Sequence, residues 1–317
     1  MRYVIGRIQR LIIVLVIVTF TTFILVNVLP GDVAYQLGGI EASEEQIARI
    51  RQGLGLDQPV LLRYVSWVSD LLRGDWGHSL LTGESVWEMI AHRFPVSMQL
   101  MLMAQVMALA VAIPAGLATA WLAGGWLDKV VTSIGFATVS MPTFLIAILL
   151  IYLFSLHLGW LPATGYEPMS EGLWANMRPM ILPAASLALV EWTVLMRTLR
   201  AEMIGTLQEN YISLARAKGM SNLRILFAHA LRPSSFSTVT ILGLQVARLL
   251  SGAIILEQIF GIPGLGRMLI HAVYTRDFIV IQGCVTFFAL VYVLMNFIVD
   301  LAYAWLDPRV RERRAHG

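Results

Sequence analysis

Six apolar stretches, near residues 9–29, 97–123, 130–157, 181–200, 235–256 and 281–304, constrain this chain more than any other feature. A helix needs roughly 20 residues to cross the hydrocarbon of a bilayer, and each stretch reaches that length. In hydrocarbon every backbone polar group must be satisfied within the protein, which leaves helices or closed barrels. Continuous apolar runs of this length predict helices. The expected fold class is therefore an all-α polytopic membrane protein with six transmembrane helices. Composition agrees: 57% of the 317 residues are hydrophobic and 14% charged, where a soluble domain has about half and a quarter.

The placement of charge orients the spans. Arg2, Arg7 and Arg10 precede the first stretch, and Arg309, Arg311, Arg313 and Arg314 follow the last. An even number of spans puts both termini on one side, and the positive-inside rule makes that side the cytoplasm. The loop from Arg197 to Arg232 is also basic and falls on the same side. The first stretch is too long for the apolar part of a secretion signal, and Asn27-Val28-Leu29-Pro30 offers no small-residue cleavage site, so a retained span is expected. A net charge of +3 without a concentrated basic face gives nucleic-acid binding no footing. Cys284, the single cysteine, lies in an apolar run and reads as a small packed residue.

Four parts follow in order: an N-terminal segment and first span (1–29), an external helical segment (30–96), a five-span core (97–304) and a cytoplasmic tail (305–317). The external segment is roughly 65 residues long, too long for a bare connector. It opens with Pro30-Gly31-Asp32. Ser43-Glu44-Glu45-Gln46 then predicts a capping box, with Ser43 as N-cap and Gln46 reaching back. Gly53 and Gly55 should end that helix. After Pro59 a second amphipathic helix is expected, with Val60, Leu61, Tyr64, Trp67, Val68 and Leu71 on one face, followed by a turn at Gly74-Asp75-Trp76-Gly77. Pro114 and Gly116 lie in the second span, and Met141-Pro142 should interrupt the third, since proline frees a backbone carbonyl. Trp160, Tyr166 and Trp174 suit a membrane interface. The stretch from Phe260 to Gly266 is rich in turn residues.

Catalytic motifs are missing. There is no G-x-x-x-x-G-K-[ST] phosphate loop, no G-x-S-x-G, and no H-E-x-x-H or H-x-x-E-H spacing among His78, His92, His157, His229, His271 and His316. No catalytic, cofactor-binding or metal-binding residue is expected. The informative segment follows the fourth span. From Glu202 to Leu214 it alternates at helical spacing, with Met203, Leu207, Tyr211 and Leu214 on one side. Ala215 and Ala217 keep side chains small, and Gly219 can stop a helix in a left-handed cap. A second helix is expected from Asn222 to Leu231. Two short helices at an angle would make a surface knob able to enter a groove on a soluble partner.

Tyr211-Ile212-Ser213-Leu214-Ala215-Arg216-Ala217-Lys218-Gly219, followed by His229-Ala230-Leu231-Arg232-Pro233, resembles the coupling loop of ABC importer permeases of the dipeptide/oligopeptide/nickel group. Other pieces match that group in order: Leu29-Pro30-Gly31-Asp32, Gly53 to Pro59, Gly74 to Ser79, Ile254 to Phe260, Pro263-Gly264-Leu265-Gly266, Arg276-Asp277 and Asp307 to Arg311. The opening and the long first external loop are similar to the first of the two permease subunits, the DppB/OppB/NikB type. The general motif carries Glu-Ala-Ala before its glycine. Here Ser213-Leu214-Ala215 stands there, which leaves no carboxylate at that place.

The resemblance implies a type I importer with a MetI-like permease fold in a bacterial inner membrane. It implies a second permease chain completing the pathway, two cytoplasmic ATP-binding subunits that hold ATP and magnesium, and an external solute-binding protein. Coupling helices would lie at 202–232, and Tyr211, Leu214, Ala215, Arg216, Ala217, Lys218 and Gly219 would meet the ATPase. Di- or oligopeptides are the leading cargo; nickel chelates, glutathione and oligosaccharides remain open, as does a stand-alone secondary carrier. Two further charges lie within spans. At about 1.5 Å per residue, Glu191 lies about 15 Å and Arg248 about 13 Å from the outer ends of theirs. A charge in lipid is costly, so both should face the interior or each other, as a gate, as contacts for peptide termini or as a structural pair.

Overall fold

The computed structural model describes residues 2–28, 43–53 and 57–306. The Leu-Pro-Gly-Asp turn at 29–32, Gly55 and the arginines from 309 to 314 lie outside the described residues. Those described are helical, without a strand. In chain order the helices are α1 (Arg2–Val28), α2 (Glu44–Gly53), α3 (Val60–Leu72), α4 (Val86–Trp121) and α5 (Trp126–Ser140). Then come α6 (Thr143–Leu150), α7 (Leu173–Leu207), α8 (Asn210–Ala217), α9 (Leu231–Phe260), α10 (Leu265–Thr275) and α11 (Phe278–Leu306).

Among these, α1, α4, α7 and α11 are each long and apolar enough to cross a membrane. Two bent pairs bring the number to six: Trp126–Ser140 with Thr143–His157, and Asn222–Gln245 with Arg248–Phe260. The first pair turns by 105° at Met141-Pro142, as the sequence predicts. Met141 takes an extended ψ of 135°, because the proline ring crowds the residue before it out of the helical region. Helices α4 and α7 begin before the apolar stretches they contain. Helix α4 runs through Glu88, His92, Arg93 and Pro95, polar residues that hydropathy cannot count as a span.

The chain divides into two compact units, Met1–Phe94 with Met268–Val293 and Pro95–Arg267 with Leu294–Gly317. In the first unit the capping box forms: Ser43 N–H donates to Gln46 Oε1 at 3.0 Å and Gln46 N–H to Ser43 Oγ at 3.3 Å. Helix α3 lies against α1 through Tyr64 and Trp67, whose rings meet Phe23 at 5.5 and 5.9 Å. Tyr64 also bonds Thr19 at 2.9 Å. Val60 and Leu61, expected on that face, are exposed. Asp75 accepts from Gly77 N–H at 2.9 Å in the expected turn, and Gly74 and Gly77 take φ of +90° and +79°.

In the second unit α7 is the central helix, packed against α5, α6 and α9. Close approach of α5 depends on Gly135, where a Cβ would sit 2.9 Å from Thr193 Cγ2. Thr193 Oγ1 donates to Gly135 O at 3.1 Å and meets Thr138 Oγ1 at 3.1 Å. Such small-residue, hydroxyl-bonded seams join helices where lipid supplies no hydrophobic drive. The same pair is pinned at one end by charge. Asp128, buried, receives two hydrogen bonds from Arg200 at 2.7 Å each and one from Gly124 N–H at 2.8 Å. Removing one partner of a buried pair leaves the other uncompensated, which is costly. Asp128→Asn should therefore destabilise the purified protein by about 2–3 kcal/mol. Adding Arg200→Met should recover part of that loss. Chemical denaturation of the single and double variants in detergent measures both effects.

Candidate functional site

The segment after α7 departs from expectation in a useful way. The expected continuous helix from Glu202 to Leu214 breaks at Gln208 and Glu209, and α8 begins anew at Asn210 with Glu209 extended as its N-cap (ψ 147°). The axis changes there, so Met203 is buried while Tyr211 and Leu214 point outward, 45% and 56% exposed. The inward face of α8 is instead Ile212 and Ala215, both buried. They sit in one cluster with Leu117 and Ala120 of α4, Leu199 and Met203 of α7, and Ile225, Leu226 and Ala230 beyond. Arg216 stacks over the Trp121 ring at 5.5 Å. Gly219 takes φ +75°, the left-handed stop its sequence predicts.

The expected helix from Asn222 to Leu231 forms, but it does not end there. Asn222–Arg224 and a wide π turn at Ile225–Ala230 run straight into α9. Helix α8 is joined to α7 by a two-residue turn, and a cap at 218–221 leads to the helical turns that run into α9. Ser213, Arg216, Ala217 and Lys218 are exposed beside Tyr211 and Leu214. Partial burial and the nearby Glu209 carboxylate push the Tyr211 hydroxyl above its ordinary pKa, so it stays neutral and able to donate.

Glu191 and Arg248 lie on the facing helices α7 and α9. The register is set by Leu187 against Gly252 on one side and by Glu202, which accepts from Ser237 at 2.7 Å, on the other. The Arg248 charge acts on Glu191, but the two form no ion-pair contact within the described residues. Glu191 Oε2 is buried without a hydrogen-bond partner, and Arg248 is exposed. The structure brings the pair to one level without closing it.

Two groups escaped sequence reasoning. Glu257, buried at the end of α9, accepts from Ser97 Oγ at 2.6 Å and from the backbone N–H groups of Gly266 and Arg267 at 2.7 and 3.1 Å. Ser97 Oγ accepts in turn from Leu265 N–H at 2.9 Å. The first N–H groups of α10, which no helix can satisfy itself, are thereby capped. In the other unit Asp277 accepts from Ser79 Oγ at 2.5 Å and from Val280 N–H at 3.3 Å. The Pro-Gly-Leu-Gly and Arg-Asp motifs were visible in the sequence, but not the distant partners that give them purpose.

The sequence model of the family described as "Binding-protein-dependent transport system inner membrane component" matches residues 112–312. A companion model for the N-terminal part of such membrane components matches residues 1–101. The chain belongs to this family. It is 40% identical over 97% of its length, and 98% of the relative's, to a Brucella abortus protein named as a peptide transport system permease. It is 37% identical to a Salmonella typhi glutathione transport system permease, with 98% and 99% of the two chains covered. The fold is similar to that of a solved inward-facing MetNI methionine ABC transporter chain, with TM-score 0.56 and 14% identity, covering 69% of this chain and 96% of that one.

As a permease subunit of an ABC importer the chain is not itself catalytic, and it is a multi-pass inner membrane protein. Membership implies, in general terms, a partner permease, ATP-hydrolysing subunits and a binding protein. The permease's Gly264 lies so close to the Glu257 carboxylate that an added methyl would overlap it. Gly264→Ala should cost about 1–3 kcal/mol through overpacking and expose residues 261–266 to protease. Limited proteolysis with mass spectrometry reads that outcome.

Proposed function

We propose that this permease forms, with a second permease chain, the pathway of an importer for di- or oligopeptides, driven by two cytoplasmic subunits that bind ATP and magnesium. Both termini and α8 lie on the cytoplasmic side. The observation that carries the reading is the seating of α8. Ile212 and Ala215 fix it to α4, α7 and the start of α9, while Tyr211 and Leu214 face outward.

An ATPase that grips this outer face moves three spanning helices with it. Closure of the ATPase dimer would draw the two coupling helices together and turn the cavity from inward-open to outward-open. Only a contact that differs between the ATPase states can bias that equilibrium. Tyr211, Leu214, Arg216, Ala217, Lys218 and Gly219 supply the contact region, and the buried Ala215 acts from behind it. Glu191 and Arg248 face the pathway, where an unclosed pair at mid-depth is available to a passing solute. Glutathione is the second cargo reading, favoured by the 37% identity to the Salmonella permease. An external binding protein delivers either cargo.

With the four membrane-bound subunits co-expressed, Leu214→Asp should remove an apolar anchor worth about 1.5–3 kcal/mol. Co-purified ATPase and ATP-driven uptake should fall by about tenfold or more. Uptake unchanged in that variant, or uptake by this chain alone in liposomes, overturns the proposal. Glu191→Gln and Arg248→Met should each lower uptake while the ATPase still co-purifies; if neither changes uptake or basal ATP hydrolysis, the pathway role is wrong.

A further inference from the structure

Between Glu191 and Glu202 the positions of α7 separate by exposure. Trp192, Thr193, Leu195, Met196 and Leu199 are buried, and Arg200 is held by Asp128. Glu191, Val194 and Thr198 are half-buried, and Arg197, Ala201 and Glu202 are exposed. These residues recur at helical spacing and make one stripe along the helix. Many open positions on the neighbouring helices are apolar, as with Leu102, Val106 and Val111 on α4 and Val130 and Ile134 on α5. Lipid or an apolar neighbour suits those faces. It does not suit the α7 stripe, which carries Glu191 within the span and Arg197 and Glu202 at its cytoplasmic end; ionisable groups at a membrane helix belong on water-filled paths or opposite partners.

Beside the lower part of the stripe is a cavity of about 440 Å³, walled by Val194, Arg197, Thr198 and Glu202 of α7 and by Phe136 and Val139 of α5. Arg197 lies over the Phe136 ring at 4.7 Å and donates no hydrogen bond to a described residue. Glu202 uses one oxygen, Oε1, for Ser237. Thr198 donates to Val194 O at 3.0 Å and so offers lone pairs only. One cation and one carboxylate therefore face the same space.

We propose that this cavity is a subsite for a short peptide with free termini, its carboxylate taken by Arg197 and its ammonium by Glu202. The proposal rests on the importer reading above and places a second charged station below Glu191 and Arg248. Five residues of helix separate the two positions, a rise of about 7.5 Å with about 140° of rotation, so Arg197 leaves α7 towards Phe136 of α5 and Glu202 towards Ser237 of α9. An anionic solute alone would meet Arg197 but be repelled by Glu202, so the chemistry selects a zwitterion. A phosphatidylethanolamine headgroup carries the same pair of charges, and the test separates it from a peptide.

The assembled importer, carrying Ala201→Cys in this chain, is placed in phosphatidylglycerol nanodiscs without nucleotide or binding protein. Maleimide labelling of that cysteine is followed by mass spectrometry; Cys284 is buried and stays unlabelled. With alanyl-alanine about tenfold above its Kd, labelling should slow by about tenfold. N-acetyl-alanyl-alanine amide should not protect, and adding Arg197→Gln or Glu202→Gln should abolish protection.

Absence of protection by the free dipeptide, or equal protection by the blocked one, overturns the proposal. So does protection that appears only when phosphatidylethanolamine is added. Where a charge variant fails to assemble, judged by lost ATPase subunits, the free-against-blocked comparison in Ala201→Cys alone decides. ATP-driven uptake in the parent complex separates the two readings: uptake without protection removes the subsite and leaves the importer, whereas loss of uptake and of ATPase binding removes both.

Discussion

Two side chains decide whether the helix between the fourth and fifth spans is a lever or a loose connector. Helix α8 has eight residues, too few to hold together in water unaided. Ile212 and Ala215 enter a cluster built from α4, α7 and the first turns leading into α9. Burying an isoleucine is worth about 1.5–3 kcal/mol, enough to fix a single orientation for so short an element. The direction of α8 is therefore inherited from the spanning helices beneath it. The dependence also runs the other way, since packed interfaces move between discrete arrangements and do not flex continuously. Tyr211 and Leu214 therefore stand on a helix whose other face is packed directly on the bundle.

The carboxylates divide into two sets with different physical roles. Asp128, Glu257 and Asp277 sit where one helix ends and the next begins, and each accepts backbone N–H groups of the adjoining turn. Each also takes one partner from a distant stretch: Arg200, Ser97 and Ser79 respectively. They behave as ties, fixing the ends of helices whose middles are held by apolar and small-residue contacts. Glu191 belongs to the other set. Its inner oxygen has no partner and its nearest opposite charge is exposed, so it contributes little to holding the bundle and is available for a contact that comes and goes.

What could be read in advance follows from the range of each signal. The six spans, the break at Met141-Pro142, the Ser43–Gln46 box and the Gly219 stop all rest on properties of neighbouring residues. The continuity of 202–214 misled because Met203, Leu207, Tyr211 and Leu214 keep helical phase across Gln208 and Glu209. Periodicity records spacing along the chain and cannot see the axis turn. Glu257 illustrates the opposite failure. Its motif stood out, but its partner Ser97 lies 160 positions away, and a single sequence carries no signal that joins them. The level of Glu191 and Arg248 was countable from helix rise, whereas the absence of a closed ion pair depends on side-chain direction.

The bend in the third span bears on where the charged stripe can be. Helix α5 flanks α7 from Asp128 and Arg200 up to Thr138 and Thr193, and the chain then turns through 105°. Pro142 has no N–H to give, and Met141 N–H reaches Thr138 O only at 3.4 Å, while hydroxyls of Thr138, Thr193 and Ser140 serve the Gly135 and Phe136 carbonyls. An unsatisfied carbonyl is costly in lipid and tolerable beside polar groups or water. The break falls within a turn of Thr138, whose partner Thr193 lies two residues from Glu191. A proline kink and an ionisable residue, each expensive in hydrocarbon, thus occur at one depth in one pair of helices, and water reaching that depth would relieve both costs at once.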